Sequence, residues 1–237
     1  MNTTVQTISV AGLAYAFVPA ALVVVILFRW CSAGWPAIYA LVRMLLQLLL
    51  VGFVLVYIFD AESAWLILLV LIVMLLAASW ISMRPVRHKQ TNLYRHAGIA
   101  ILLGGGLTLV LVTQLVLDLD PWFFPRYVVP LAGMIFASSM NTISLAAERF
   151  EAERQQSIGY RRARAVALQA SLIPAINSLF AVGLVSLPGM MTGQILSGVS
   201  PFVAAKYQIV VMCMLFGASG ISAAIYLVLS GREGQQQ

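Results

Sequence analysis

The amino-acid sequence predicts an all-α, polytopic membrane protein of seven transmembrane helices, with the N-terminus outside and the C-terminus in the cytoplasm. Composition, the spacing of apolar runs and the distribution of basic residues each point there. Of 237 residues, 62% are hydrophobic and 9% charged, whereas soluble domains carry about 25% charged residues. So few charges cannot form the polar skin of a soluble enzyme, and a disordered chain needs the opposite composition. The net charge of +6 reads as loop charge that orients helices in a bilayer, not as a nucleic-acid surface. Cys31 and Cys213 lie in or beside apolar runs and suggest neither a disulfide framework nor a metal knuckle.

Apolar runs at 9–28, 36–59, 63–82, 97–117, 127–147, 171–187 and 205–229 are each long enough to cross a bilayer, which takes roughly 20 residues per helix. They are expected to be helices, because a bilayer offers no water to the backbone. Residues 1–8 carry no basic side chain and the first run exceeds the apolar core of a signal peptide, so it is expected to be a retained helix. The whole of 1–237 is then one transmembrane domain.

Orientation follows from Lys and Arg. Arg29, then Arg84, Arg87, Lys89 and Arg95, then Arg149, Arg154, Arg161, Arg162 and Arg164, and finally Arg232 fall in alternate connecting segments. The opposite set holds Arg126 and Lys206, together with Asp60, Glu62, Asp118 and Asp120. The basic-rich side is the cytoplasm. Arg43 is the charge clearly within a span, away from its ends, and its long side chain is expected to snorkel or to hydrogen-bond within the bundle.

Two segments stand apart. Residues 148–170 form the longest cytoplasmic stretch, opening as a charged helix in which Arg149 and Glu153 are four apart and Glu151 and Arg154 three apart. Gly159 is expected to interrupt it. A topology signal needs no glutamates, so the mixed charge favours a docking surface for a cytoplasmic partner over a merely solvated loop. Residues 186–201 contain Pro188-Gly189, expected to end or break the sixth helix. Gly189 and Gly193 form a small-xxx-small pair that admits a close neighbour. This stretch is more apolar than an ordinary outer loop, and re-entrant or path-lining structure is the favoured reading.

The missing chemistry narrows the function. There is no G-x-x-x-x-G-K-[ST], so the chain has no P-loop for ATP. No predicted span contains Asp or Glu, which leaves carboxylate-based ion coupling without a carrier. Gly217-Ala218-Ser219-Gly220 matches the G-x-S-G of an intramembrane protease, but His88 and His96 lie in a cytoplasmic segment, far in depth from that serine. Small-residue helix packing explains the motif better, and close packing or local bending explains Gly104-Gly105-Gly106.

Gln47, Thr108, Thr113, Gln114, Ser138, Ser139, Asn141, Thr142, Asn177, Ser178 and Gln194 are the polar groups able to line a path. Most of the hydroxyls can equally bond back to their own helices. Asn141 and Asn177 cannot be fully satisfied that way, so each is expected to meet another helix, a cavity or water. Met190–Met191 and Met212–Met214, with Cys213, offer soft sulfur ligands, although methionine more commonly fills apolar gaps.

One further pattern runs through these residues. The stretch 171–214, from Ser171-Leu-Ile-Pro-Ala-Ile-Asn-Ser-Leu-Phe through Leu187-Pro-Gly-Met-Met-Thr-Gly-Gln-Ile-Leu-Ser-Gly to Val211-Met-Cys-Met, resembles the signature of the FetB family, YbbM-like or UPF-type membrane proteins. Asn141-Thr-Ile-Ser-Leu-Ala-Ala-Glu-Arg-Phe-Glu-Ala-Glu-Arg154 resembles it as well. The resemblance covers the chain with the same seven-span plan. It implies the permease half of an ABC transporter of the inner membrane, implicated in iron export, with plant relatives linked to aluminium tolerance and to nucleotide-sugar movement.

ATP and Mg would then belong to a partner, a FetA-type ABC ATPase, with no cofactor in this chain and a homodimer as the expected assembly. The coupling candidates become Glu148, Arg149, Glu151, Glu153 and Arg154, and charge reversal at Glu153 is expected to abolish ATPase association. The path candidates are Asn141, Asn177, Met190, Met191 and Gln194, and Pro188 and Gly189 are the hinge candidates. The cargo stays open, because iron prefers oxygen and nitrogen ligands and the predicted spans hold neither carboxylate nor histidine. The alternative is a stand-alone carrier or channel for a small polar solute. A non-transporting scaffold would show no polar cavity near Asn141 and Asn177.

Overall fold

The computed structural model describes residues 9–31, 34–60, 63–86, 91–156 and 159–233. It contains seven helices long and apolar enough to cross a membrane: Ala11–Trp30, Gly34–Phe59, Ala64–Ser82, Asn92–Val116, Pro125–Gln155, Tyr160–Ala181 and Pro201–Gly231. These are the first to seventh spans below. A short helix, Gly189–Leu196, precedes the seventh. The protein is a multi-pass membrane protein.

The chain forms two compact units, Met1–Asp60 and Ala61–Gln237. In the first unit, Ser9 caps its helix by accepting a hydrogen bond from the Gly12 N–H at 3.0 Å. The Phe28 and Trp35 rings meet edge-on, their centroids 5.8 Å apart, where the two spans turn. Leu22, Leu46, Leu48, Phe53 and Tyr57 are exposed. Apolar surface on this scale is what lipid covers.

In the second unit the fifth and seventh spans form the centre. Ala132, Ser139 and Ala146 on the fifth, and Ala218, Ser219, Ser222 and Ala223 on the seventh, are all buried. Small side chains let the two backbones approach closely where no hydrophobic force drives helices together. Ile101, Ile135, Ile143 and Leu227 fill the space around them. The Ser144 hydroxyl ties the fifth span to the end of the third by donating to the Ser82 carbonyl at 2.8 Å.

The fourth span is irregular. An α-helix at Thr91–Ala100 gives way to π-helix at Ile101–Gly106, then Leu107–Val110 in α form and Leu111–Val116 again in π form. Three glycines, Gly104, Gly105 and Gly106, lie in the first widening, and two of them are held against close neighbours. A Cβ on Gly104 would run into the backbone and hydroxyl of Ser222, and one on Gly105 would stand 2.8 Å from Ile135 Cγ2. Close packing and local distortion therefore occur together.

Helix ends depart from the apolar runs. The fifth span carries on to Gln155, so Glu148 to Arg154 extend it and form no separate loop helix. The sixth helix begins at Tyr160 with Gly159 at its N-cap, confirming the interruption at Gly159, and it includes Arg161, Arg162 and Arg164. It stops at Ala181 rather than at Pro188-Gly189. The cause is local: Gly183 takes a left-handed φ of 82°, and the Ala181 carbonyl accepts N–H groups from Leu184, Val185 and Ser186. Pro188 instead caps Gly189–Leu196, where a missing N–H costs nothing.

Candidate functional site

A cavity of about 440 Å³ opens among the fifth, sixth and seventh spans. Ser138, Asn177, Ser178, Ser186, Pro188 and Met212 line it, with Leu215 and Phe216 opposite. Its size and its sparse polar groups on apolar walls are those of a small-molecule site. Ser178 returns its hydroxyl to the Pro174 carbonyl at 2.9 Å. Asn177 is exposed to the cavity.

The hydroxyls divide into two groups. Thr108, Thr113 and Thr142 bond back to Gly104, Leu109 and Ser138 at 2.7, 2.9 and 3.0 Å. Ser138 and Ser139 reach across instead. The Oγ atoms of Ser138 and Ser219 lie 2.7 Å apart, and the Ser222 hydroxyl donates to Ser139 at 3.2 Å. Gly217-Ala218-Ser219-Gly220 is accordingly a packing motif, its serine engaged by another serine.

The path candidates are not gathered in one place. Asn177 and Pro188 share the cavity just described. Met190 lines a second hollow of about 200 Å³ with Met134, Arg126, Tyr127 and Tyr207. Asn141 lies on an exposed strip of the fifth span that also carries Ala137, Leu145 and Glu148. Met191 is half-buried, and so is Gln194, whose buried Oε1 has no hydrogen-bond partner among the described residues. Gln208, not singled out from the sequence, is only 6% exposed and its Oε1 is unmatched in the same sense. Its signal was the spacing Ala204, Gln208, Val211, a polar residue on an otherwise apolar face.

The sulfur-bearing residues do not converge. Met212 faces the 440 Å³ cavity, Cys213 is exposed and Met214 is buried in the core. Among the described residues no group of three or more His, Cys, Asp or Glu could hold a metal ion.

The charged end of the fifth span is ordered by its neighbours. Arg149 and Glu153 form an ion pair at 2.5 Å, with 48% of the arginine side chain but only 7% of the glutamate exposed. Glu153 thus faces inward and anchors Arg149. Glu148 and Arg154 are exposed, and Glu151 is half-buried within electrostatic reach of Tyr226. The turn into the sixth span is pinned by Tyr160. Its ring meets Phe150 edge-on at 6.0 Å, its hydroxyl donates to the Leu227 carbonyl at 3.2 Å, and the Arg164 guanidinium lies over its face at 5.4 Å.

The family model described as "Uncharacterised protein family (UPF0014)" matches residues 8–234. The chain is 36% identical over 206 residues to the probable iron export permease protein FetB of Escherichia coli, covering 81% of this chain and 78% of that protein. It is 36% identical to a UPF0014 membrane protein of Synechocystis, covering 76% and 75%. To the protein ALUMINUM SENSITIVE 3 of Arabidopsis thaliana it is 34% identical, covering 86% and 82%. No solved structure matches the chain. A seven-span helical membrane protein matched along nearly its whole length by this model, and over three quarters or more of it by these relatives, belongs to the UPF0014 family.

Proposed function

We propose that the chain is the permease subunit of an ATP-driven ABC exporter of the inner membrane, moving iron or a related metal species. A separate FetA-type ATPase supplies ATP hydrolysis. The observation that carries this reading is the fifth span, one helix that joins a cavity wall to a charged surface. Ser138 stands in the cavity, and Glu148 is ten residues further along, about 15 Å at helical rise. Glu148, Arg149 and Arg154 form the docking surface, while Glu153 holds Arg149 in place. The N-terminus lies outside and the C-terminus in the cytoplasm, as the basic residues direct.

Asn141 and Asn177 support a homodimer. Both are exposed on the single chain, Asn177 to the cavity and Asn141 on the outer strip of the fifth span, and an unmatched amide left facing hydrocarbon at Asn141 costs several kcal/mol, on the order of 2–7. A second copy, or water enclosed between copies, relieves that cost. Gly189 and Gly193, with nothing within 4 Å of a built Cβ, leave room for the same neighbour. Closing of the ATPases would push on the end of the fifth span and swing the Gly189–Leu196 helix on its Pro188-Gly189 entry. The cargo passes on amides, hydroxyls and the thioether of Met212, a set suited to a chelated metal or a transient contact. The relative named as a probable iron export permease supports iron.

Reconstitution into sealed vesicles tests this. With the ATPase present, ATP should drive iron across the bilayer, and Glu148→Lys should abolish the flux without affecting insertion. Flux that proceeds without any ATPase would establish the stand-alone carrier instead.

A further inference from the structure

A second groove, of about 550 Å³, runs along the surface between the third span and the start of the fourth. Its floor is the close contact of Ser79 with Gly98, where a Cβ would come within 3.2 Å of the serine Oγ. That hydroxyl is committed to the Leu75 carbonyl at 2.7 Å, so it is not available to a ligand. Leu75, Leu76, Ile99 and Leu102 make apolar walls, and Trp80, Tyr94 and Arg95 stand toward the end nearest the connection between the two spans.

The Arg84 guanidinium lies over the ring of Trp80, 5.9 Å from its centroid, so it stands beside a residue of the groove's lining without itself lining the groove. Both arginines are exposed, and neither forms an ion pair among the described residues. From residue 63 to residue 117 the chain contains no Asp or Glu, while Arg84, Arg87, Lys89 and Arg95 all fall there. The segment therefore supplies no carboxylate of its own to neutralise the pair. An apolar furrow, aromatic rings at its mouth and two guanidiniums with no ion pair among the described residues make up a surface with a clear complement. Trp and Tyr sit at the headgroup level of bilayers, and basic pockets between helices hold anionic head groups.

We propose that this groove binds one anionic glycerophospholipid from the same leaflet as the basic loops. Its phosphate lies between Arg84 and Arg95, and an acyl chain runs along Leu75, Leu76, Ile99 and Leu102. A zwitterionic lipid offers the same chain but neutralises its own phosphate, and a free phosphate offers the charge without the chain. Guanidiniums suit this role because their planar forks match phosphate geometry. The site is separate from the cavity of Ser138 and Asn177.

The test uses the full chain, extracted in mild detergent from vesicles of equal parts phosphatidylglycerol and phosphatidylcholine, and native mass spectrometry of the retained lipid. The wild-type protein should keep one phosphatidylglycerol in preference to phosphatidylcholine. The double variant R84Q/R95Q should lose that retention by roughly ten- to thirty-fold. R161Q/R162Q, which removes the same charge from the sixth helix, should leave it unchanged. Ile99→Trp fills the groove without touching the charge and should also expel the lipid. Equal loss in the R161Q/R162Q control, equal retention of the two lipids by the wild type, or full retention by Ile99→Trp would each overturn the site.

Discussion

The hydroxyl oxygens of Ser138 and Ser219 lie 2.7 Å apart, joining the fifth and seventh spans at the wall of the 440 Å³ cavity. The next residue of the fifth span, Ser139, accepts from Ser222, which lies about one helical turn beyond Ser219 in the seventh. Two consecutive hydroxyl pairs thus hold the central helices together at the level where the cavity opens. Interhelical hydrogen bonds in membrane proteins contribute about 0.6 kcal/mol each, rising to about 1.7. Ser219→Ala should therefore lower stability in micelles by about 1 kcal/mol. Ser219→Leu, at a fully buried position, should cost more, about 1–3 kcal/mol or above, because overpacking adds to the lost bond. Chemical denaturation in detergent separates the two.

Gly104 is a position where an added side chain would meet the backbone of another span. Gly104→Ala places a methyl group against the Ser222 backbone as well as its hydroxyl, so removing the hydroxyl with Ser222→Gly should not rescue it. The expected cost is about 1–3 kcal/mol. Gly106→Ala, whose Cβ would meet only Leu102 of its own helix at 3.6 Å, should be tolerated. Thermal unfolding of the two single variants and the double gives the comparison.

Glu153 and Glu148 should separate stability from coupling. Glu153→Ala strands Arg149 and exposes a buried position, at a cost of about 1–2 kcal/mol, between the values for exposed and buried pairs. Glu148→Lys should leave the melting temperature unchanged and reduce recovery of the ATPase in a co-purification. The reverse assignment, with Glu148 affecting folding and Glu153 only association, would contradict the geometry described for this end of the helix.

Asn177→Leu removes the amide exposed to the cavity while keeping a similar volume. It should lower ATP-driven transport at least about tenfold, equivalent to about 1.4 kcal/mol of barrier, with membrane insertion intact. Met190→Leu, in the separate 200 Å³ hollow, should change transport much less. Flux assays on matched vesicle preparations decide between the cavities.

Seven crossings are legible in the sequence because each needs a long apolar run, and the structure has seven such helices. Their ends are less legible, since hydropathy senses the bilayer while a helix ends where its backbone bonds end. Arg161, Arg162 and Arg164 interrupt the apolar pattern yet form good helix, so the sixth helix begins at Tyr160, well before the apolar run at 171. At its other end the Gly183 turn acts before Pro188 can. Within the site, Ser138 and Thr142 read alike, each able to bond back four residues. Only the presence of Ser219 across the interface sends Ser138 elsewhere. The pairing of Arg149 with Glu153 follows from their spacing, but the burial of Glu153 depends on how neighbouring helices pack around it.

The central claim, a permease that borrows its ATPase, is tested most directly by purifying the tagged chain from its native membrane in mild detergent and assaying the eluate for ATP hydrolysis. The account predicts a co-eluting P-loop ATPase whose recovery falls with Glu148→Lys. A folded chain that elutes alone, with no hydrolysis in the eluate, would contradict it.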